Sequence, residues 1–234
     1  MLKLMKLEWK KQQLSRCFKG VAICIVSIFA AVGLMVWGSK VDSDLMFSNY
    51  AGYMSLTNIV IRITFIIYSA VLLSRLVIDE YKNKTIQLLF TYPLQRKKLM
   101  QAKLIIVFLF CFFSMIISTY IISMLVFILN PMIGFFEVPV SFSDIIATVP
   151  STLINSFMIA GVSLIPLYFG MRKKSTPATI TSAILIGSLL NSSITNGSGQ
   201  FSLFDYIGVS IALSVLGLAI AYFSFYKIEK IDVT

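Results

Sequence analysis

Gly20 to Ser39 is a run of apolar and small residues without a single charge, and Leu104 to Leu129 is a second. A hydrocarbon core of ~30 Å takes about 20 residues of helix, so each run is long enough to cross a bilayer. Inside lipid every backbone N–H and C=O must pair within the protein, which makes helix the conformation open to an isolated apolar run. By the same count we expect crossings at residues 20–39, 53–78, 104–129, 144–170, 177–190 and 205–226. The second carries Arg62 and Arg75, and the third is expected to close at Asn130-Pro131. Pro150 and Pro166 should kink the fourth or mark its interfacial ends. The fifth opens at Thr176-Pro177, a capping residue followed by a first-turn proline. The expected fold is an all-α polytopic membrane protein, residues 1–234 forming one transmembrane domain of six helices. The first run follows a long polar leader, exceeds the apolar core of a signal peptide and lacks a small-residue cleavage site, so it is expected to be retained.

Composition agrees, with 58% hydrophobic and only 13% charged residues. A formal net charge of +10 would suggest nucleic acid in a soluble domain, but here the cations sit between apolar runs. They suit anionic lipid headgroups and an orientation signal, so no nucleic-acid partner is expected. Lys3, Lys6, Lys10, Lys11, Arg16 and Lys19 precede the first run, and Lys82, Lys84, Arg96, Lys97, Lys98 and Lys103 separate the second from the third. Arg172, Lys173 and Lys174 follow the fourth, and Lys227 and Lys230 the sixth, whereas the alternate loops contain only Lys40. The positive-inside rule therefore places both termini in the cytoplasm of a multi-pass cell-membrane protein. Cys17, Cys24 and Cys111 have no regular spacing and are expected to be reduced packing residues. The chain has no histidine, which removes the commonest metal ligand and general base.

The segment from Asp79 to Ile105, "DEYKNKTIQLLFTYPLQRKKLMQAKLI", is the polar stretch that this pattern leaves to be explained. Ile86, Leu89 and Phe90 fall on one helical side, and Pro93 ends that turn. Such an amphipathic elbow either lies on the membrane with its lysines snorkelling to phosphates or docks in a groove of a partner protein.

At these residues the chain resembles the segment between spans two and three of bacterial ABC-2 type permeases, the membrane subunits of ATP-driven exporters of the bacitracin, lantibiotic-immunity and cytolytic-peptide kinds. The shared features are an acidic start, Thr85-Ile86, Leu88-Leu89, Pro93, Arg96 and Lys103. Lys84 and Gln87 stand where many relatives have glycine and glutamate. The basic leader "LKLMKLEWKKQQLSRCFKG" likewise resembles the interfacial connecting helix of these permeases, here residues 1–19. The resemblance implies that residues 79–103 form a cytoplasmic coupling segment resting on an ATP-binding subunit. Glu80, Thr85, Ile86, Leu89, Phe90, Pro93 and Arg96 would be its contacts, and Arg172, Lys173 and Lys174 either a second contact or a positive-inside anchor. "GMRKKST" lacks the glycine spacing of a phosphate loop, so this chain is expected to bind no cofactor, with ATP and Mg on the partner subunit. The resemblance further implies a transport subunit rather than an enzyme, paired with itself or a sister permease and moving amphipathic or hydrophobic peptides such as antimicrobial or toxin peptides.

Arg62 lies about 13 Å inside its span by helical rise, too deep to face lipid cheaply. It either snorkels outward or pairs with Asp144 or Asp205, or it lines a translocation path and meets substrate. An intramembrane enzyme would need a catalytic constellation at membrane depth, and an ion-coupled transporter would need buried acids near the midplane. The apolar runs supply neither set.

Overall fold

The computed structural model describes residues 15–41, 50–79, 96–133, 142–196, 199–202 and 207–226. Its elements in chain order are α1 (Ser15–Val41), α2 (Tyr50–Leu73), α3 (Arg96–Ile133), α4 (Phe142–Ala147), α5 (Val149–Val162), α6 (Pro166–Lys173) and α7 (Thr176–Leu190), then strands β1 (Ser193–Asn196) and β2 (Gly199–Ser202), and α8 (Ile207–Tyr226). Among the described residues four stretches are long and apolar enough to cross a membrane: Cys17–Gly38, Gly52–Ile78, Lys98–Asn130 and Val149–Lys173. Thr176–Leu190 and Gly208–Ser224 are shorter apolar helical stretches.

α2 and α3 form the centre of the body. Tyr53, Ile61, Phe65, Ile66 and Leu73 on α2, and Val107, Cys111, Ile122 and Val126 on α3, are shut off from the surroundings. α1 is apolar all round but buries one stripe only, Val21, Ile25, Ile28, Val32 and Val36, against α2 and α3. Ile23, Val26, Leu34 and Trp37 on its other side are exposed, as suits a helix whose outer face meets lipid tails. α7 packs on α2 and α6, and α5 on α3 and α8.

The α5–α8 contact depends on small residues. A Cβ on Gly217 would run into the Gly161 carbonyl, and one on Gly161 would meet the Ser214 side chain. Where apolar burial gives no preference for helix over lipid, backbones pressed this close supply the packing that holds helices together.

Several boundaries differ from the sequence expectations. α1 begins at Ser15 and passes through Gly20 unbroken, so the part of the expected interfacial segment 1–19 that is described continues the membrane helix. Gly20 packs directly beneath the Tyr68 ring, and the Tyr68 hydroxyl donates to the Cys17 carbonyl at 2.9 Å, fastening this turn to α2. α3 already starts at Arg96, inside the expected 79–103 segment, and runs through Asn130-Pro131 to Ile133. Proline's fixed φ suits a helix, and so near the end its missing N–H costs one bond.

The expected crossing at 144–170 is broken into α4, α5 and α6, with Pro150 and Pro166 each in the first turn of a helix. Pro166 has no N–H for the Val162 carbonyl, which takes the Ile165 N–H instead at 2.9 Å, and the backbone tightens over Ser163–Ile165. At 176–177 the N-cap is Ser175 in extended conformation, and Thr176 lies inside the helix. The chain is also not wholly α. β1 and β2 pair antiparallel, Ser193 opposite Ser202 and Asn196 opposite Gly199.

Candidate functional site: the basic end and the Arg62 cleft

The end of the body carrying Lys19, Lys98, Arg172, Lys173 and Lys174 brings together the last turn of α2, the first turns of α3 and the α6–α7 connection. Past Leu73 the helix of α2 widens into a π-turn. Ser74–Ile78 form a π-helical turn, in which Arg75 is exposed while Ser74, Leu76, Val77 and Ile78 are buried, and the Asp79 N–H reaches back to the Ser74 carbonyl. Single π-turns inside helices recur at functional sites, because they swing a carbonyl off the regular ladder. Here Lys103 of α3 meets a carbonyl of that turn. Its Nζ donates to Leu76 O at 2.9 Å, and the residue is 2% exposed.

Lys103 therefore departs from the loop cation that charge counting expected. It is buried, its ammonium near the C-terminal end of the described helix, where the helix dipole favours a cation.

Asp79, one residue beyond the π-turn, accepts a hydrogen bond from the Thr176 hydroxyl at 3.0 Å. Thr176 opens α7, just after the exposed Arg172, Lys173 and Lys174 at the close of α6. Lys174 ends α6 in the left-handed region, φ 47° and ψ 39°, which reverses the chain into α7. Gly170 completes the joint, since a Cβ there would collide with Thr179 and with Ile78 of the π-turn. The π-turn, α6 and α7 are thus packed directly against one another.

Of the sequence-expected contacts, Glu80, Thr85, Ile86, Leu89, Phe90 and Pro93 lie outside the described residues, and Arg96 is described as the first residue of α3. The joint frames that segment, with Asp79 where it leaves and Arg96 where it returns.

Farther into the body, Arg62 is 9% exposed and lines a cleft of ≈ 60 Å³. α2 contributes Met54, Asn58 and Arg62 at helical spacing, and α3 contributes Met115 and Thr119. Thr148, Ser151, Thr152, Asn155 and Ser156 come from the α4–α5 turn and α5. A single water needs about 10–15 Å³ of such space, so the cleft can hold several and keep the guanidinium solvated at depth. Asp205 and the side chain of Asp144 lie outside the described residues.

Charge reasoning had picked out Arg62 but not its polar company. The four-residue spacings Asn58/Arg62, Ser151/Asn155 and Thr152/Ser156 were the available signal, because each places two polar groups on one face of an otherwise apolar helix.

Comparison with known proteins places this arrangement. The family model described as "ABC-2 family transporter protein" matches residues 4–191. The chain is also 32% identical over 231 residues to the "Uncharacterized protein YcbO" of Bacillus subtilis (strain 168), covering 99% of this chain and 100% of that one. No solved structure matches. The membrane body from α1 to α7, its basic end and the stretch from Asp79 to Ile105 all fall within the matched residues, and the chain is a multi-pass membrane protein of the ABC-2 transporter family.

Proposed function

We propose that the chain is the permease subunit of an ATP-driven exporter that moves amphipathic or hydrophobic peptides out of a bacterial cell or its membrane. The observation that carries this proposal is the family match over residues 4–191, which takes in the stretch from Asp79 to Ile105. In the proposed assembly two permeases, identical or sisters, sit on two ATP-binding subunits that hold ATP and Mg. α7 and α8 complete six crossings, and both termini face the cytoplasm. At ~1.5 Å per residue α7 spans about 22 Å, which the bilayer meets by local thinning.

Residues from Glu80 through Arg96 rest on the ATP-binding subunit. Closure of the ATP-binding subunits pushes this segment, and the joint at Asp79, Leu76 and Lys103 passes the push into α2, α3, α6 and α7 together. Arg172, Lys173 and Lys174, adjoining Thr176, form the second contact with the same partner. The alternation between inward and outward states follows as a rigid-body movement of packed helices.

The test is reconstitution of the chain with its ATP-binding subunit, identified by co-purification, in vesicles loaded with a labelled amphipathic peptide. ATP-dependent movement of the peptide is expected, and Leu89→Asp should abolish either subunit association or the link between hydrolysis and transport. Transport of an inorganic ion alone, or wild-type behaviour of Leu89→Asp, would overturn the proposal.

A further inference from the structure

We infer that the groove between α3 and α8 seats one anionic phospholipid of the leaflet at the basic end, its acyl chain in the groove and its phosphate at Lys98. The fold comes first. The Ser224 hydroxyl donates to the Met171 sulfur at 2.7 Å, which sets the last turn of α8 beside Arg172–Lys174, at the end where α3 begins. α3 and α8 therefore run antiparallel. Between them lies a groove of ≈ 440 Å³ whose floor is Leu164, in the tightened backbone between α5 and α6.

The polarity of the groove is graded along the membrane normal. Lys98, Gln101, Ile105, Phe108 and Phe112 recur every three or four residues, so they share one face of α3. Lys98 is exposed in the first turn, and Gln101 lines the groove one turn further in. Tyr222 of α8 lines it at the same end and is 54% exposed, as suits an aromatic ring at headgroup level. Apart from these two every lining residue is apolar, and none is acidic. Lys98, Arg172, Lys173 and Lys174 are all exposed at this end. Cations so placed favour an anionic headgroup over a zwitterionic one.

Length and width select a hydrocarbon chain. Phe157 of α5 carries the apolar track past the groove, its ring centroid 5.4 Å from that of Phe108 and 6.5 Å from that of Phe112. Gln101 to Phe112 is about 16 Å by helical rise, the depth of one leaflet in a core of ~30 Å. A helical peptide ~10 Å across would need about 800 Å³ over the ~10 Å from Gln101 to Phe108. That is well above the ≈ 440 Å³ present. A second copy related by a twofold axis along the membrane normal would bring its own Lys98 to the same level, like charge towards like. A lipid meets neither obstacle.

The test titrates the purified full chain in mild detergent with phosphatidylglycerol and with phosphatidylcholine of the same acyl chains, and native mass spectrometry counts the lipids retained. Wild type should retain one phosphatidylglycerol, half-saturating at a concentration about fivefold below phosphatidylcholine. Lys98→Gln should erase that preference and leave the phosphatidylcholine midpoint in place. Lys19→Gln, which removes an exposed cation of α1 at the same end, should change neither. Leu218→Trp should fill the groove and lower retention of both lipids several-fold. Should it fail to fold, Ile105→Trp on the opposite wall, at the same 40% exposure, carries the test. Equal midpoints for the two lipids in wild type, or a preference that survives Lys98→Gln, would overturn the site. So would a preference lost equally in Lys19→Gln, the mark of general surface charge. A dimer that Leu218→Trp splits without loss of lipid would give the groove to a second copy, and displacement of the lipid by a labelled amphipathic peptide would give it to the cargo; either result overturns the inference. None of these readouts needs ATP or transport, so their failure leaves the proposed permease function standing.

Discussion

Lys103 places its Nζ 2.9 Å from the Leu76 carbonyl, so an ammonium on the third helix meets the π-turn that follows the second. A lysine 2% exposed is uncommon, and the Leu76 carbonyl satisfies one of its three N–H donors. Removing it should cost more than the bond itself, since a buried acceptor loses its donor. Lys103→Met is expected to lower the stability of the detergent-solubilised protein by about 1–3 kcal/mol, read as a lower midpoint in thermal or denaturant unfolding. An unchanged midpoint would show that the carbonyl finds another donor.

The α5–α8 contact gives a sharper contrast. Gly217→Ala puts a methyl group against the Gly161 carbonyl, and the two backbones must separate. A loss of about 1–3 kcal/mol is expected from this overpacking, together with lower folded yield. Gly33→Ala is the control, because a Cβ there meets nothing within 4 Å. It should be neutral or stabilise by up to about 1 kcal/mol. Equal yields for the two variants would mean that α5 and α8 do not approach as described.

Topology follows from the charge pattern. Reporters fused after Lys98 and after Lys174 should behave as cytoplasmic, and those after Ser48 and Gly197 as external. An external signal after Lys98 would reverse the orientation and remove the 79–103 segment from the reach of any ATP-binding subunit.

What the sequence made legible was whatever length and polarity decide alone. α1 and α3 contain uninterrupted apolar runs and α2 one broken only by Arg62, and lipid leaves such runs no alternative to helix. The break over Ser163–Ile165 was half legible, since Pro166 announces a disturbance without saying that the Val162 carbonyl will find Ile165. The β1–β2 hairpin also carried a signal in the sequence. Gly197-Ser198 is a dipeptide favoured in two-residue hairpin connections, and it lies between the paired Asn196 and Gly199. Lys103 looked like a loop cation because charge counting cannot tell a helix's first turns from the loop before it. The joint itself was out of reach. Asp79 and Thr176 stand 97 residues apart, and no local pattern shows which helix ends will meet.

That long-range hydrogen bond also provides the test of whether the joint transmits force. Asp79 Oδ1 and Thr176 Oγ1, 3.0 Å apart, tie the start of the proposed coupling segment to the turn carrying Arg172–Lys174. If the bond served packing alone, Asp79→Ala and Thr176→Val would lower stability and leave transport per hydrolysed ATP unchanged. If it transmits the stroke, each single variant should hydrolyse ATP at near wild-type rate and export several-fold less peptide. The double variant should then be no worse than either single one, because both remove the same link. In stability the same cycle should give a coupling energy of about 0.5–1.5 kcal/mol, the net worth of one hydrogen bond. Asp79→Asn is the decisive companion, because it keeps an oxygen acceptor and removes the charge. Coupling retained in Asp79→Asn and lost in Asp79→Ala identifies the hydrogen bond as the link. Loss in both would mean that the carboxylate's charge, rather than its bond to Thr176, is what the stroke requires.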